Sequence, residues 1–271
     1  MSDRSVRSAG ARALRGLASP VADRFGGSGL VMAYHDIIDD LASPYPYAVR
    51  ASVFREQVAM VGQLGYRFVP LSELAETLVA GGSTSGKAAI VFDDALIGVH
   101  RNALPVLRER NLPWTLLPVT DHPGVSPPWW QEADRTMDLD EIREAVAAGA
   151  ELCGHTATHL SLPDMSPGQV QDELVRSREL LSEWGGREVV DLCYPFGHQN
   201  ARVRELVRAS GYRTGWTFTN GRCHPGDEPL TLRRMAMHDE LRGLHWARTL
   251  LRPRWTWPAV EDVEAGGGSG S

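Results

Sequence analysis

The chain has 271 residues, which at roughly 150 residues per domain accommodates one large α/β barrel or two small domains. Apolar residues contribute 42% and charged residues 23%, a balance that excludes a disordered or fibrous chain. The 28 Lys and Arg against 34 Asp and Glu give a net charge of -6, which argues against a dedicated nucleic-acid binder acting by phosphate neutralisation.

Residues 1–26 scatter arginines among small residues without a continuous apolar stretch, and nowhere do about 18 apolar residues run together. The expectation is a cytoplasmic protein without signal peptide or membrane span. Residues 29–34 (GLVMAY) predict a buried first strand ending at His35. Residues 52–64 place Phe54, Val58, Val61 and Leu64 at helical spacing behind a serine cap, and Gly65 stops the helix. A strand is predicted over 66–70, a helix over 71–80, and an apolar strand over 88–92 that runs directly into Asp93 and Asp94.

The alternation continues with a helix over 102–110, a strand over 114–119, a helix over 138–148 and a short strand over 151–153 that ends in GHTATH. A long amphipathic helix over 169–184 follows Ser166 and Pro167; then come a strand over 189–194, a helix over 201–210 and a strand over 213–218. Repeated β-α units of this kind predict a mainly parallel sheet, and about seven of them a closed or nearly closed barrel. Cys153, Cys193 and Cys223 are odd in number and lack CxxC spacing, so neither a disulfide framework nor a thiolate zinc site is expected. Of the basic residues only Lys87 is a lysine, a bias attributed to a GC-rich coding sequence.

Chemistry in such barrels sits where loops leave the C-terminal ends of the strands. The polar residues that directly follow apolar runs are His35, Asp93, Asp94, His155, His159, the 195–197 turn and, more loosely, His238. His155 and His159, four apart with small residues between them, can present both rings to one ion, although surface or capping pairs share that spacing. Adjacent carboxylates at the end of a buried strand are costly without a cation or separate roles, the bland alternative being a helix cap. Two histidines and one aspartate leave coordination positions open, as a catalytic divalent site requires.

The blocks AYHDI, VFDDA, GHTATH, CYPFG and GYRTGWTF, in that order from about residue 30 to 238, resemble the polysaccharide deacetylases, carbohydrate esterase family four with the NodB-homology domain. The resemblance implies a distorted (β/α) barrel of about seven parallel strands and metal-dependent hydrolysis of an N-acetyl group on an amino sugar. It implies that Asp93 is the general base, that Asp94, His155 and His159 hold one divalent ion, and that the backbone N–H of Phe196, after Pro195, helps hold the oxyanion. His238 takes the place of the histidine that protonates the leaving amine, with His35 and His198 as competitors for that role. Zinc is the default metal, with cobalt or nickel as alternatives. Trp129, Trp130 and Trp216 are candidates for sugar contact, and His35, Pro195 and His198 are placed with them around the substrate. Trp216 packing in the barrel wall is the alternative.

Two departures matter. Ala95 stands where the family writes glycine, and Cys193 stands where many members carry an arginine that orients the base; the second is read as a mark of a YPFG-type subgroup. The expected organisation is a basic, amphipathic segment over 1–26, the catalytic barrel over 27–240, an Arg/Trp-rich extension over 241–263 and a flexible linker over 264–271. Both flanking segments suit either peripheral contact with a membrane surface or packing on the barrel. The expected partner is an N-acetylated amino sugar, small or lipid-linked, with no nucleic acid involved; the oligomeric state is left open. Two other readings keep the barrel: a deformylase or cyclic amidase, and a carbohydrate-binding pseudoenzyme motivated by Ala95 and Cys193.

Overall fold

The computed structural model describes residues 28–251, so the expected 1–26 segment, most of the extension and the linker lie outside the described residues. Strand β1 (Leu30–Tyr34) leads into a small parallel ribbon of β2 (Asp36–Ile38) and β3 (Ala48–Arg50). Helix α1 (Ala51–Gln63) follows, then β4 (Arg67–Phe68), α2 (Leu71–Val79) and β5 (Lys87–Asp93). A π-turn over Val99–Ala103 opens α3 (Leu104–Glu109), and β6 (Trp114–Leu117), α4 (Leu139–Ala147) and β7 (Ala150–Leu152) complete the first half. The second half holds α5 (Pro167–Gly185), β8 (Asp191–Cys193), α6 (Ala201–Ala209), β9 (Thr214–Asn220), β10 (Leu232–Ala236) and α7 (Gly243–Leu250).

The strands lie parallel in the order β7-β6-β5-β1-β10-β9-β8, with β4 added beside β5. The two ends of this seven-stranded path meet at a Gly154–Leu192 bridge, where Gly154 N–H donates to Asp191 O at 3.0 Å and Cys193 N–H to Gly154 O at 2.8 Å. Glycine is required at this seam, since a Cβ there would lie 2.8 Å from the Tyr212 hydroxyl. The result is the expected distorted (β/α) barrel. Strand β1 is apolar throughout and β5 is apolar from Ala88 to Phe92, as burial on both faces demands.

Alternation along each strand divides the core in two. Leu30, Met32 and Tyr34 pack outward with Ile90, Phe92 and the helices, whereas Val31, Ala89, Val91 and Leu117 point inward and pack with Leu71, Leu74 and Leu78 of α2. Trp216 belongs to the inner cluster with no exposed surface, and its indole N–H donates to Thr214 Oγ1 at 3.0 Å. It is a wall residue and not the sugar contact its sequence position suggests.

Other local expectations also shift. Helix α1 starts one residue before Ser52, has no side-chain N-cap, and satisfies the Ser52 N–H through Asp40 Oδ1 at 2.7 Å. Helices α4 and α5 carry full capping boxes, Asp138 with Glu141 and Ser166 with Gln169. Strand β10 and helix α7 were not expected as elements. The described part of the C-terminal extension packs on the barrel, with Trp246 fully buried and its indole N–H donating to Gln57 O at 3.1 Å. Among the described residues no helix is long and apolar enough to cross a membrane.

Candidate metal centre and adjoining pocket

Strand ends from across the barrel converge on one rim. Asp93 is the last residue of β5, and Asp94 follows it with φ of 64°, a left-handed backbone that breaks the strand alternation. His155 and His159 come from the loop after β7, held in a tight turn with positive φ at Thr156 (65°) and His159 (60°). Among the described residues, six of the seven non-glycine residues with positive φ lie at or beside this rim: Tyr47, Asp94, Ala95, Thr156, His159 and Phe196. Such conformations cost of order 1–3 kcal/mol each and persist only where the surroundings fix them.

The fixing is visible at the histidine loop. The carboxylate of Glu173 on α5, 3% exposed, accepts from the backbone N–H of Ala157 at 2.8 Å, the N–H of Thr158 at 2.9 Å and the Thr158 hydroxyl at 2.7 Å. Sequence reasoning missed Glu173, because a glutamate within an amphipathic helix reads as a solvated charge.

Asp94 Oδ1 lies 3.4 Å from His155 Nε2 and 3.2 Å from His159 Nε2, and one ligand atom from each of the three residues falls within 4.8 Å of the others. His155 Nδ1 is 2.8 Å from Cys193 O, so it donates there and its Nε2 lone pair faces the carboxylate. Asp94 Oδ1 is buried and has no hydrogen-bond donor. Lone pairs converging on an unpaired buried carboxylate oxygen are what a divalent cation satisfies, so the residues fit the metal that the sequence leads one to expect.

The electrostatics of Asp94 and His159 agree. Burial pushes the Asp94 carboxyl up, but His159 and His155 outweigh it and hold it well below the usual carboxylate range. Burial, reinforced by His155 and opposed by Asp94, depresses His159 to about 3, so its ring is neutral, the form that binds metals. For His155 burial lowers and Asp94 and Asp93 raise, and the balance is a raised pKa.

Asp93 is held differently. Arg234, in the middle of β10 and without exposed surface, donates from Nη1 to Asp93 Oδ1 at 2.6 Å and from Nε to Thr217 O at 3.1 Å. Burial works against the Asp93 charge, but Arg234, His35 and His155 keep its pKa below the ordinary value. Sequence reasoning missed this arginine too; it supplies from β10 the cation that Cys193 does not supply. The other Asp93 oxygen, Oδ2, lies 3.7 Å from His35 Nε2, and burial lowers the His35 pKa despite Asp93 and Asp94 nearby.

Above these groups is a cavity of about 390 Å³ whose walls are largely aromatic: Tyr47, Trp129, Trp130, Phe196 and Phe218, with Pro46 and Glu132. Asp94, His159 and His35 reach into it. Trp129 stacks on the His159 ring at 4.4 Å, and Phe196 meets that ring edge-on at 4.6 Å. Trp129, Trp130, His35 and Phe196 are thus brought together as expected. Pro195 is buried in the turn beneath, and His198 turns aside to Ser161 Oγ at 3.2 Å. His238 lines a separate cavity that shares Pro46 and Tyr47 with the pocket, not the pocket that holds the metal residues. The backbone carries it there, because Gln57 Nε2 donates to the carbonyls of His238 and Leu241 and pins the loop after β10. The histidine adjoining Asp93 is therefore His35. A larger open cleft of about 680 Å³ beside α6 is lined by arginines and glutamates and includes none of the strand-end residues.

The fold is a distorted (β/α) barrel whose rim gathers an Asp-His-His cluster and a second buried carboxylate. The sequence profile of the polysaccharide deacetylases matches residues 80–215, and the chain belongs to that family. It is 22% identical over 214 residues to YxkH of Bacillus subtilis (strain 168), whose name assigns it to the polysaccharide deacetylases; the match covers 79% of this chain and 72% of that protein. Among solved structures, the fold is similar to the Streptococcus pyogenes deacetylase PplD in complex with acetate, with a TM-score of 0.72, 20% identity, and coverage of 82% of this chain and 98% of the other. It is similar also to IcaB from Ammonifex degensii, with a TM-score of 0.68, 23% identity, and coverage of 84% and 98%.

Proposed function

We propose that the protein is a divalent-metal-dependent N-deacetylase that hydrolyses the acetamido group of an N-acetylated amino sugar, a small or lipid-linked glycoside. The observation that carries this reading is the pairing, on one rim, of an Asp-His-His cluster fit for a metal with a second carboxylate held ionised by a buried arginine. Asp94, His155 and His159 would hold the ion, zinc by default, and when bound it supplies Lewis-acid polarisation of the acetyl carbonyl and of the attacking water.

The chain's own residues carry the proton. Arg234 fixes Asp93 Oδ1, which leaves Oδ2 free to take the proton of the attacking water. His35 Nε2, 3.7 Å from that oxygen, is placed to receive the proton and pass it to the leaving amine nitrogen, so the acid role goes to His35 and not to His238 or His198. The Phe196 N–H, at a left-handed turn on the cavity edge, serves the carbonyl oxygen as it gains charge. The aromatic walls exclude water and present flat faces to a sugar ring.

Acetate release from N-acetylglucosamine and its glycosides tests the reading. The wild-type protein supplied with metal releases acetate, and Asp93→Asn releases at least 100-fold less, within the range that general-base catalysis contributes. Equal turnover by Asp93→Asn, or release of formate but not acetate from matched N-formyl and N-acetyl substrates, overturns it.

A further inference from the structure

The two histidines of the metal cluster are held in different ways. The His155 ring is fixed at its far nitrogen, Nδ1, by Cys193 O at 2.8 Å, whereas His159 Nδ1 is buried and has no hydrogen-bond partner among the described residues. Glu173 secures the N–H groups of Ala157 and Thr158, and Thr156 Oγ1 accepts from the His159 N–H at 3.1 Å, but these bonds fix the main chain and not the imidazole. A ligating histidine ordinarily donates its second ring N–H to an acceptor that sets the orientation of the ring, so another contact must orient this one.

What lies against the His159 ring is aromatic. The Trp129 indole covers one face, with centroids 4.4 Å apart and planes inclined by 24°, and Phe196 meets the ring at 4.6 Å and 71°. Turning the imidazole away from the position in which Nε2 faces Asp94 Oδ1 at 3.2 Å would break that stack. The indole is itself fixed. His122 packs against it at 5.2 Å, and the loop that carries it, 118–138 between β6 and α4, is tied to both segments that supply metal residues: Asp121 N–H donates to Ala157 O at 2.9 Å and Met137 N–H to Ala95 O at 2.7 Å. The Trp129 indole N–H is buried without an acceptor, an unfavourable arrangement, so the residue is seated by the face of its ring and not by its polar edge. Trp130, the next residue, is directed elsewhere and packs on His35, Tyr45 and Tyr47.

We infer that Trp129 is a positioning residue for the metal ligand His159: the stacked indole does for this ring what the Cys193 carbonyl does for His155. This rests on the metal centre of the proposed deacetylase and concerns how that centre is held. The test is Zn²⁺ calorimetry on metal-free wild type, Trp129→Leu, Trp129→Phe and Trp130→Leu, with the visible absorption of each protein loaded with Co²⁺ as a report on ligand geometry. Trp129→Leu keeps an apolar side chain but no ring plane, and is expected to bind Zn²⁺ about tenfold more weakly, the lower end of the range for outer-shell partners, with altered Co²⁺ bands. Trp129→Phe restores a stacking face and is expected to stay within about threefold of wild type with the wild-type bands, and Trp130→Leu within about twofold. Urea denaturation of the metal-free proteins shows that each variant is folded, and Trp129→Met replaces Trp129→Leu if the latter is not. Zn²⁺ affinity in the folded non-aromatic variant equal to that of wild type, a Trp129→Phe as weak as Trp129→Leu, or an equal loss in Trp130→Leu overturns the inference. A wild type that takes up no Zn²⁺ overturns the metal centre and the inference together, whereas Zn²⁺ uptake without acetate from any substrate overturns the deacetylase reading alone and leaves this comparison intact.

Discussion

Arg234 and Asp93 meet at 2.6 Å across the interior of the barrel, the guanidinium fully buried and the carboxylate nearly so. Removing one partner of such a pair leaves an uncompensated charge, a loss of about 3–5 kcal/mol, while removing both is far milder. Arg234→Met is therefore expected to lose activity at least 100-fold, within the span of general-base effects, and to lower stability by about 3 kcal/mol. The double variant with Asp93→Asn should recover most of that stability and none of the activity. Urea denaturation of the four proteins of the cycle checks this, and additive losses would show that the two residues are not coupled.

Glu173 acts on the metal residues only through the loop between them. Glu173→Leu keeps most of the side-chain volume but removes both acceptor oxygens, so the N–H groups of Ala157 and Thr158 and the Thr158 hydroxyl lose their partner. Outer-shell partners of metal ligands typically change affinity 10–100-fold, and a fall of that size in Zn²⁺ affinity by calorimetry is expected. Thr158→Val, which removes one hydroxyl, should have a smaller effect.

Ala95 occupies φ of 51° where the resembled family writes glycine, and it is buried. An L-residue there costs about 1–2 kcal/mol, and the extra unfolded-state freedom of glycine takes back about 0.4–1. Ala95→Gly should therefore stabilise the protein by about 0.5 kcal/mol, whereas a β-branched residue at this position should destabilise it severely. Thermal unfolding gives the sign, and a loss of stability in Ala95→Gly would show that the backbone carries no strain there.

Much of this site was legible from sequence because polar residues directly after apolar strands have only the rim to go to. That logic found His35, Asp93, Asp94, His155 and His159. It could not find Arg234, which lies inside a strand in a chain where 27 of 28 basic residues are arginine; only the pairing of β10 beside β1 and β9 carries it across to Asp93. Trp216 was assigned to the pocket from its position after a strand, and His238 from the family resemblance. Strand alternation turned the first into the wall, and the Gln57 hydrogen bonds held the second behind Tyr47. Ser52 failed as a cap because an aspartate twelve residues earlier did its work.

Asp191 couples the barrel seam to pH. Burial pushes its carboxyl up to about 6 from 3.8, with the Thr214 hydroxyl opposing. A folded-state pKa above the unfolded one contributes stability below about pH 4 that is lost as pH rises through about 6, on the order of 3 kcal/mol. Asp191→Asn should flatten that part of the stability–pH curve, measured by urea denaturation between pH 4 and 7. A curve of unchanged slope would contradict the assignment.

The most direct measurement is acetate release by protein stripped of metal with a chelator, before and after Zn²⁺ is returned, in wild type and in Asp94→Asn. The expected result is turnover that disappears on stripping and returns with Zn²⁺ in the wild type, with no return in Asp94→Asn. Turnover that survives complete removal of metal, or is restored equally in Asp94→Asn, would contradict a metal-dependent deacetylase built on Asp94, His155 and His159.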